Sequence, residues 1–419
     1  MNIIDELEWR DAINQQTDAE GLRELTNTKS VSLYCGVDPT GDSMHIGHLI
    51  PFMVLKRFQL AGHRPVILIG GATGTIGDPS GRQTERSLQT MEQVQANVDA
   101  LTAQMKKLFV TEGDNQVRMV NNYDWTHKIN VIDFLRDFGK NFSINTMLAK
   151  DVVSSRLDSG ISYTEFSYQI LQSLDFLHLY NHEDVQLQIG GSDQWGNITS
   201  GLDLIRKKEG AEAKAFGLTI PLMLKADGTK FGKTAGGAIW LDSNKTTPFE
   251  FYQFWANTDD RDVVKYLKYF TFLEKQTIDG LAEKVQSEPH KRDAQKALAE
   301  EMTRFVHGEE LLEQAKRITA ALFSGDIKSL TADEIEQGFK EMPTFHAGKE
   351  TKNIVDWLVD LGIEPSKRQA REDITKGAIS MNGERVGDME LNVTAEHAIG
   401  GRFIIIRKGK KNYSLVKLT

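Results

Sequence analysis

The 419-residue sequence predicts an α/β fold with a parallel sheet in its first half, followed by a helical region and a small α+β unit. The parallel sheet is predicted by three apolar runs, each of which ends in a turn rich in glycine. The runs are residues 31–37, 65–69 and 185–189. Ligands bind at the carboxyl ends of the strands in such sheets. We therefore expect the loops after these strands to surround one crevice, at residues 36–48, 70–82 and 190–197.

Composition and charge narrow the class of protein. Hydrophobic residues make up 40% of the chain and charged residues 26%, which is typical of globular domains with apolar cores. The net charge of −9 argues against a protein coated in basic charge, but it permits a local basic patch. The single cysteine, Cys35, excludes an internal disulfide framework and a multi-cysteine zinc site, and it fits a reducing cytosol. We expect Cys35 to be a small buried residue, because no basic neighbour would activate its thiol.

Hydropathy predicts no membrane segment. The acidic N-terminus lacks the apolar run of a signal peptide, and the longest apolar stretches fall short of the roughly 18 residues that a spanning helix needs. The sequence therefore predicts a cytoplasmic protein without a membrane partner.

The pattern changes three times along the chain. Strand and helix signals alternate through residues 1–246, a polar helical pattern covers 247–325, and the irregular segment 326–352 is expected to be a linker. Residues 353–419 form a third unit, in which two helices precede short strands joined by an Asn-Gly turn. Residues 350–419 carry 12 Lys+Arg and 10 Asp+Glu, a net charge of +2, which leaves −11 for the remainder.

His45 and His48 stand at the predicted start of a helix that follows the first strand and ends at Gly62. Two imidazoles three residues apart share one face of the first helical turn, and Gly47 lets a ligand approach the backbone. Free N–H groups at a helix start favour phosphate, and Thr40 adds a hydroxyl nearby. The alternative interpretation is that both histidines are incidental surface residues at a helix cap.

A second group lies in the glycine-rich segment KFGKT, which contains Lys230, Lys233 and Thr234. Two lysines and a hydroxyl on such a segment suit a triphosphate, because negative charge builds on phosphate oxygens in phosphoryl chemistry. The spacing is not that of a P-loop. Taken alone, the segment is better explained as a basic surface loop.

Further polar residues follow the predicted strands. Asp193 comes after Gly190 and Gly191, where a carboxylate suits ribose hydroxyls, although an ordinary βα turn has the same pattern. Tyr34 and Asp78 stand at the ends of the first two strands and so face the crevice, where Asp78 could bind an amine. Tyr34 is equally well explained as a core aromatic residue whose hydroxyl reaches water.

The helix predicted at residues 165–179 carries a polar face. Tyr168, Gln172 and Asp175 are spaced at i, i+4 and i+7, so they align along the helix. This face is either a solvated surface or the wall of a polar pocket.

The His-Ile-Gly-His helix start and the Lys-x-x-Lys-Thr loop about 185 residues later together resemble the two signatures of class I aminoacyl-tRNA synthetases. The segments YCGVDPTGDSMHIGH, GDPSGR, YQILQSLDF, GGSDQWGN and KFGKT are similar to those of the bacterial tyrosyl-tRNA synthetase family, and the likeness covers nearly the whole chain. It implies a Rossmann-like catalytic domain at 1–246, an anticodon-side helical domain at 247–325 and a small α+β RNA-binding domain at 353–419.

The resemblance also implies roles for individual residues. Tyr34 and Asp175 would bind the phenol of tyrosine, while Asp78, Tyr168 and Gln172 would hold its ammonium group and Gln194 would lie near its carboxylate. The residues implied in activation are Thr40, His45, His48, Lys230, Lys233 and Thr234. The residues implied in ATP binding are Gly36, Asp38, Gly47, Gly191, Asp193, Arg82, Arg86 and Lys233.

The implied partners are tyrosine, ATP with Mg²⁺, and the tRNA for tyrosine, and no protein-held metal or organic cofactor is expected. The family is homodimeric, and the segment from about Asn121 to Ser155 is the expected interface. A basic set in the third unit is expected to contact RNA phosphates, although a solvated helix face would look similar. This set is Lys367, Arg368, Arg371, Lys376, Lys408, Lys410 and Lys411.

Three alternatives remain open at this point. The nearest is the tryptophanyl enzyme of the same class, against which Tyr34 and Asp175 favour a substrate that carries a hydroxyl. The second is another nucleotidyltransferase with a histidine-x-Gly-histidine helix start. The third is an RNA-binding protein that has lost catalysis, and the joint retention of His45, His48 and the two lysines argues against it.

Overall fold

The structure is a computed structural model that describes residues 1–80, 88–229, 231–234, 237–340, 342–409 and 412–419. Of the predicted site residues, five lie outside the described ones: Arg82, Arg86, Lys230, Lys410 and Lys411. For Lys233 and Thr234 the description covers the backbone. No helix in this described part is long and apolar enough to span a bilayer.

Helices account for most of the regular structure. They are α1 Ile3–Trp9, α2 Ala19–Thr28, α3 Ile46–Leu60, α4 Met91–Lys106, α5 Tyr123–Thr126, α6 Val131–Asp133, α7 Ile144–Leu148, α8 Asp151–Ser154, α9 Tyr163–Glu183, α10 Trp195–Glu209, α11 Pro248–Ala256, α12 Asp260–Phe270, α13 Lys275–Ser287, α14 Asp293–His307, α15 Glu309–Ser324, α16 Ala332–Gly338, α17 Ile354–Asp360 and α18 Lys367–Thr375. A π-helical turn covers Phe134–Phe138, and 3₁₀ turns cover Thr73–Thr75, Gly139–Asn141, Ser192–Gln194, Pro289–Lys291, Ile327–Ser329 and Ala395–His397.

The strands form two main sheets and two short ribbons. They are β1 Gln15–Gln16, β2 Ser32–Val37, β3 Arg64–Ile69, β4 Arg118–Asn121, β5 Val185–Gly191, β6 Phe216–Ile220, β7 Lys233–Thr234, β8 Gly237–Ala238, β9 Thr344–Ala347, β10 Lys352–Asn353, β11 Ile379–Met381, β12 Glu384–Arg385, β13 Asn392–Val393, β14 Phe403–Lys408 and β15 Asn412–Leu418. The chain divides into two compact units, residues 1–245 with 257–301, and residues 246–256 with 302–419.

The first unit is built on a six-stranded sheet in the order β1-β6-β5-β2-β3-β4. Its neighbours are parallel except for the edge strand β1, which is antiparallel to β6. This confirms the predicted α/β class. Strand β2 lies between β3 and β5. The connections that leave the carboxyl ends of β2 and β5 therefore run in opposite directions. A crevice opens at such a point, because the connections diverge.

The predicted elements around this crevice are confirmed to within a few residues. The three apolar runs become β2, β3 and β5, and the segment after the first histidine becomes α3. Helix α3 ends as expected, since Gly62 adopts φ +90°, a conformation that side chains with a Cβ rarely adopt. Helix α9 packs Leu174, Phe176 and Leu177 into a core shared with α10 and the sheet, which fixes the direction of its polar face.

The second unit contains a five-stranded sheet in the order β12-β11-β14-β15-β9, with α17 and α18 packed on it. The predicted Asn-Gly turn joins β11 to β12, and Asn382 and Gly383 both adopt positive φ, as a type I′ turn requires. The segment 326–352, expected to be a linker, contains α16 and β9, and β9 pairs in parallel with β15. Its regular structure was not predicted because the elements are short, with 7 residues in α16 and 4 in β9, so each shows too few periods for a recognisable pattern.

Candidate active site

A cavity of about 360 Å³ lies at the carboxyl ends of β2 and β5. Most of the predicted site residues line it, so the structure brings together residues from β2, the start of α3, the loop after β3, α9 and the loop after β5. The predicted residues that line it are Tyr34, Gly36, Asp38, Thr40, Gly47, His48, Asp78, Tyr168, Gln172, Asp175, Gly191, Asp193 and Gln194. His45 adjoins this set at the start of α3.

Asp175 forms one buried end of the cavity. Its side chain lies on α9, is 2% exposed, and accepts hydrogen bonds from Asn122 Nδ2 and Trp125 Nε1, each at 2.9 Å. Burial raises the pKa of this carboxyl to about 7, and the two donated hydrogen bonds oppose that shift. The polar face of α9 is therefore a pocket wall and not a solvated surface.

The hydroxyl of Tyr34 is a buried polar atom without a hydrogen-bond partner in the described part of the chain. Its ring packs against Phe176 with centroids 5.4 Å apart, and burial followed by the nearby Asp175 charge raises the pKa of the phenol. Buried hydroxyls nearly always have partners, so this one is placed to bond a ligand. Cys35 beside it is buried, and burial raises the pKa of its thiol to about 12, as expected of a structural cysteine.

A second network surrounds Asp38. Tyr168 donates its hydroxyl to Asp38 Oδ2 at 2.9 Å, and Thr73 donates to Asp38 Oδ1 at 2.7 Å. Burial, followed by the Asp38 charge, raises the pKa of Tyr168 well above its ordinary value. Asn122 links this network to the buried end of the cavity, because its Nδ2 contacts both Thr73 Oγ1 and Asp175 Oδ2.

A third network holds Asp78 and Gln194 together across the pocket. Gln194 Nε2 donates to Asp78 Oδ2 at 2.8 Å, and the backbone N–H of Ser80 donates to Asp78 Oδ1 at 2.9 Å. Asn197 Nδ2 donates to both Gln172 Oε1 at 3.1 Å and Gln194 Oε1 at 3.2 Å. The carboxylate and the two amide oxygens form an acceptor-rich wall, which suits a ligand ammonium group.

His45 and His48 cap α3 with their own rings. His45 Nδ1 accepts the N–H of Gly47 at 3.1 Å, and His48 Nδ1 accepts the N–H of His45 at 3.2 Å. The rings stack with centroids 3.9 Å apart. Since Nδ1 is an acceptor in each ring, the neutral imidazoles carry their proton on Nε2. The reciprocal bonds make both histidines caps of the helix, as the alternative interpretation of residues at a helix cap also expects.

Gly232 of the KFGKT segment lies against the same helix start. Gly232 adopts φ +88°, and a Cβ added there would lie 3.3 Å from the backbone nitrogen of Gly47. The chain beyond this segment also pairs with the helix start, because Ile46 N donates to Ile239 O at 2.9 Å. The two sequence signatures, 185 residues apart, are thus neighbours in space.

Several pocket residues were not predicted from the sequence. Asn122 and Trp125 orient Asp175, Thr73 orients Asp38, and Asn197 orients two glutamines, as given above. Gln188 on β5 also lines the cavity, with a buried Oε1 that has no partner among the described residues. The sequence offers one signal for Asn122, which is the pair of asparagines at residues 121–122. This pair lies at the end of β4, and that strand has only 4 residues, too few to be predicted.

The basic residues predicted to contact RNA in the second unit differ in the ion pairs that they form. Lys367 pairs with Asp356 at 2.8 Å, and Lys376 pairs with Glu372 at 2.6 Å. The predicted residues Arg368 and Arg371 are exposed on α18. Lys408 contacts Glu364 at 2.8 Å and Asp373 at 3.3 Å. The Glu364 side chain is fully buried, so Lys408 also neutralises a buried carboxylate.

An apolar surface is concentrated between β4 and α9. Its four most exposed members are Val131 at 69%, Ile132 at 64%, Ile144 at 57% and Leu135 at 52%. Leu157, Tyr123 and Leu148, in the same stretch, are exposed to a smaller extent. Four large apolar side chains exposed within one short segment exceed the scattered single residues that are normal on a monomer.

Two models of known protein families together match most of the chain. The family model for class I tRNA synthetases (W and Y) matches residues 26–324, and the model for the tyrosine–tRNA ligase SYY-like C-terminal domain matches residues 334–416. Tyrosine–tRNA ligase 2 of Bacillus anthracis is 81% identical over 418 residues, covering 100% of both chains. Tyrosine–tRNA ligase 1 of Enterococcus faecalis is 71% identical with the same coverage.

Solved structures agree with this comparison. A C-terminally truncated mitochondrial tyrosyl-tRNA synthetase of Aspergillus nidulans has 33% identity and a TM-score of 0.69, covering 77% of this chain and 94% of that one. A tryptophanyl-tRNA synthetase of Plasmodium falciparum has 17% identity and a TM-score of 0.52, covering 80% and 87%. The second likeness shows a shared fold alone.

Proposed function

The chain belongs to the tyrosyl-tRNA synthetases of class I, and on this premise we propose a role for each group of residues in the pocket. The enzyme joins tyrosine to ATP as tyrosyl-adenylate with release of pyrophosphate, and it then transfers the tyrosyl group to the 3′ end of its tRNA. The tryptophanyl alternative is set aside, since the relatives that match over the whole chain are tyrosine enzymes.

The amino acid lies with its phenol toward Asp175 and its ammonium group toward Asp78. The phenol hydroxyl donates to the Asp175 carboxylate and accepts from the Tyr34 hydroxyl, which gives that buried hydroxyl its partner. The ammonium group occupies the acceptor-rich wall of Asp78, Tyr168 and Gln172, with Gln194 beside the carboxylate. Rejection of phenylalanine follows, because a ligand without the hydroxyl leaves buried polar groups unpaired.

Activation needs no general base, because the tyrosine carboxylate is already a nucleophile at neutral pH. Its oxygen bonds to the α-phosphorus of ATP as the bond from that phosphorus to the bridging oxygen breaks, and pyrophosphate leaves. Catalysis is then positioning and stabilisation of charge on the departing phosphates. Hydrogen-bond donors for that charge are the Nε2–H groups of His45 and His48 at the start of α3. The hydroxyl of Thr40, an exposed residue in the loop before α3, is a further donor.

The remaining ATP contacts are proposed by position. Asp193 at the end of β5 takes the ribose hydroxyls, and Gly36, Asp38, Gly47 and Gly191 leave room for the nucleotide beside β2 and α3. Lys233 and Thr234 approach the triphosphate from the segment that packs on α3. The proposed roles of Lys230, Arg82 and Arg86 lie outside the described residues.

Mg²⁺ is proposed to arrive with ATP, because phosphate oxygens are the hard ligands that it prefers. In the described part of the chain, no three His, Cys, Asp or Glu side chains are grouped closely enough to hold a metal ion. The ion counts as part of the nucleotide substrate in this proposal.

The observation that carries the proposal is the buried pair of Tyr34 and Asp175 at one end of a cavity whose other side is the start of α3. We expect purified protein to catalyse ATP–pyrophosphate exchange with tyrosine and with no other of the twenty amino acids. Exchange with tryptophan would refute the role of the pair, and absence of exchange from folded protein with Mg²⁺ would refute the activity.

Dimerisation is proposed through the apolar surface of Val131, Ile132, Leu135 and Ile144, since association would bury it. We expect Ile132→Glu to halve the mass in sedimentation equilibrium, because a charge placed in an apolar interface is costly. Leu60→Glu is the matched control, as Leu60 is 57% exposed on α3 and belongs to no such surface. A monomeric unmodified protein, or dissociation by both variants, would contradict the proposed interface.

RNA contact by the second unit is proposed to centre on α18. Arg368 and Arg371 are exposed there, while Lys367 and Lys376 pair with single exposed carboxylates that phosphates can replace. Lys408 contributes less, because it is held by a buried carboxylate. Contacts of this kind recognise the backbone and shape of a folded RNA, and their affinity falls with salt.

A further inference from the structure

The segment between β6 and the KFGKT residues forms a tight turn at 225–229. The N–H of Lys225 donates to Thr229 O, and the N–H of Gly228 donates to Lys225 O, both at 2.9 Å. Asp227 Oδ1 accepts the N–H of Thr229 at 2.9 Å, which closes the turn from inside. The turn is therefore a compact unit that leads directly into the signature segment.

Helix α12 holds this turn from outside. Ala226 donates its N–H to Asp262 Oδ2 at 2.9 Å, and Lys265 Nζ donates to Leu224 O at 2.6 Å. Lys265 also pairs with Asp262 Oδ1 at 3.1 Å. Asp262 is 4% exposed, so its carboxylate is committed to the backbone of the turn and to one lysine.

Phe231, the second residue after the turn, is fixed to the same helix. Phe231 is buried and stacks on Phe270, with centroids 5.0 Å apart and planes at 22°, and its ring also meets the edge of Tyr266 at 5.0 Å. The next residue, Gly232, contacts the start of α3 as described above. Adjacent residues thus make the aromatic contact with α12 and the contact with the helix start that carries the histidines.

The opposite end of α12 is attached to α3. Tyr269 donates its hydroxyl to Ile50 O at 2.9 Å, and Arg57 Nη2 donates to Tyr269 O at 2.6 Å and to Thr271 O at 2.7 Å. Arg57 is itself buried at 3% exposure. Helix α12 therefore contacts both α3 and the turn, and it sets the distance between the two signatures.

We propose that Asp262 is a positioning residue for tyrosine activation, which acts by fixing the 225–229 turn so that Gly232 of the KFGKT segment lies on the start of α3. This proposal rests on the proposed function, because it concerns the phosphate side of the same reaction. Asp262 touches no substrate. Its effect reaches the reacting atoms through Ala226, Phe231 and Gly232, and displacements of about 1 Å in such supports cost up to about a hundredfold in rate.

The test compares two substitutions at one position. In Asp262→Ala the Ala226 N–H loses its acceptor, and we expect kcat for tyrosine-dependent exchange to fall about tenfold or more while the Kd for tyrosine changes less than about twofold. In Asp262→Asn the amide oxygen still accepts that N–H, so most of the rate returns. Trypsin cleavage after Lys225 gives a readout apart from activity, and we expect it to be faster in Asp262→Ala.

Asp259→Ala is the matched control. Asp259 caps the same helix and accepts the N–H of Arg261 at 2.9 Å, but it does not contact the turn. We expect this variant to lower the melting temperature, since the helix loses its N-cap, while kcat and cleavage after Lys225 stay unchanged. An equal loss of kcat in Asp259→Ala would show that helix stability alone matters.

Two other outcomes would overturn the proposal: an unchanged kcat in Asp262→Ala, or an Asp262→Asn variant as slow as Asp262→Ala. If Asp262→Ala does not fold, Asp262→Asn and Lys265→Met replace it, with cleavage after Lys225 as the measurement. A failure of the proposed function is distinct, since unmodified protein would then show no exchange with tyrosine while the cleavage difference persisted.

Discussion

Replacing Asp175 with asparagine is expected to weaken the preference for tyrosine over phenylalanine by about tenfold to a hundredfold, a discrimination for which tyrosyl-tRNA synthetases are the standard example. The substitution keeps the volume but loses the charged acceptor of the phenol, and a hydrogen bond to a charged group contributes about 1.5–3 kcal/mol. We therefore expect kcat/KM for tyrosine to fall by about tenfold to a hundredfold, with little change for phenylalanine. Steady-state exchange with both amino acids measures this.

Tyr34→Phe is the graded comparison for that experiment. It removes one neutral hydroxyl from the same end of the pocket, and a neutral hydrogen bond contributes about 0.5–1.5 kcal/mol, so we expect a smaller loss for tyrosine. Equal losses for tyrosine and phenylalanine in Asp175→Asn would contradict the assignment. They would mean that the carboxylate supports the pocket through Asn122 and Trp125 without reading the phenol.

His45→Ala is expected to slow tyrosyl-adenylate formation by about a hundredfold, the usual cost of losing one donor to transition-state charge. Tyrosine binding is expected to stay within about twofold, because His45 lies at the start of α3 and is absent from the residues that line the cavity. Single-turnover adenylate formation and equilibrium binding of tyrosine measure the two quantities separately.

His45→Asn separates catalysis from helix capping. Asparagine is a favourable N-cap residue whose side-chain oxygen can accept the Gly47 N–H in place of Nδ1, but it has no group at the Nε2 position. A slow His45→Asn enzyme with normal stability is the expected result. Recovery of the rate by asparagine would show that His45 serves only to cap the helix.

The residues that the sequence predicted well occupy regular positions. Tyr34 stands on a strand and Asp175 on one face of a long helix. Side chains repeat every two residues along a strand and every 3.6 residues around a helix, so the face on which each residue lies is predictable without knowledge of the tertiary structure. The starts of α3, which carries the two histidines, and of α10 were predictable because each helix follows an apolar strand and a glycine-rich turn. These parts of the fold depend on local pattern alone.

The missing parts depend on contacts between distant elements. Asn122 and Trp125 reach Asp175 across 53 and 50 residues, from the N-cap and the body of a four-residue helix that carries no periodic signal. The ion pair of Lys408 with buried Glu364 likewise appears only when β14 is placed beside the end of α17. Charge pattern alone presents Lys408 as a surface cation.

Cys35 has a practical consequence. The chain has no other cysteine, and a thiol with a pKa of about 12 is ionised in on the order of one molecule in a hundred thousand at pH 7. Maleimides react with the thiolate, so the native residue would label extremely slowly. A cysteine introduced at an exposed position, such as Ala96→Cys on α4, would therefore react selectively with a maleimide fluorophore. Cys35 need not be replaced before such site-specific labelling.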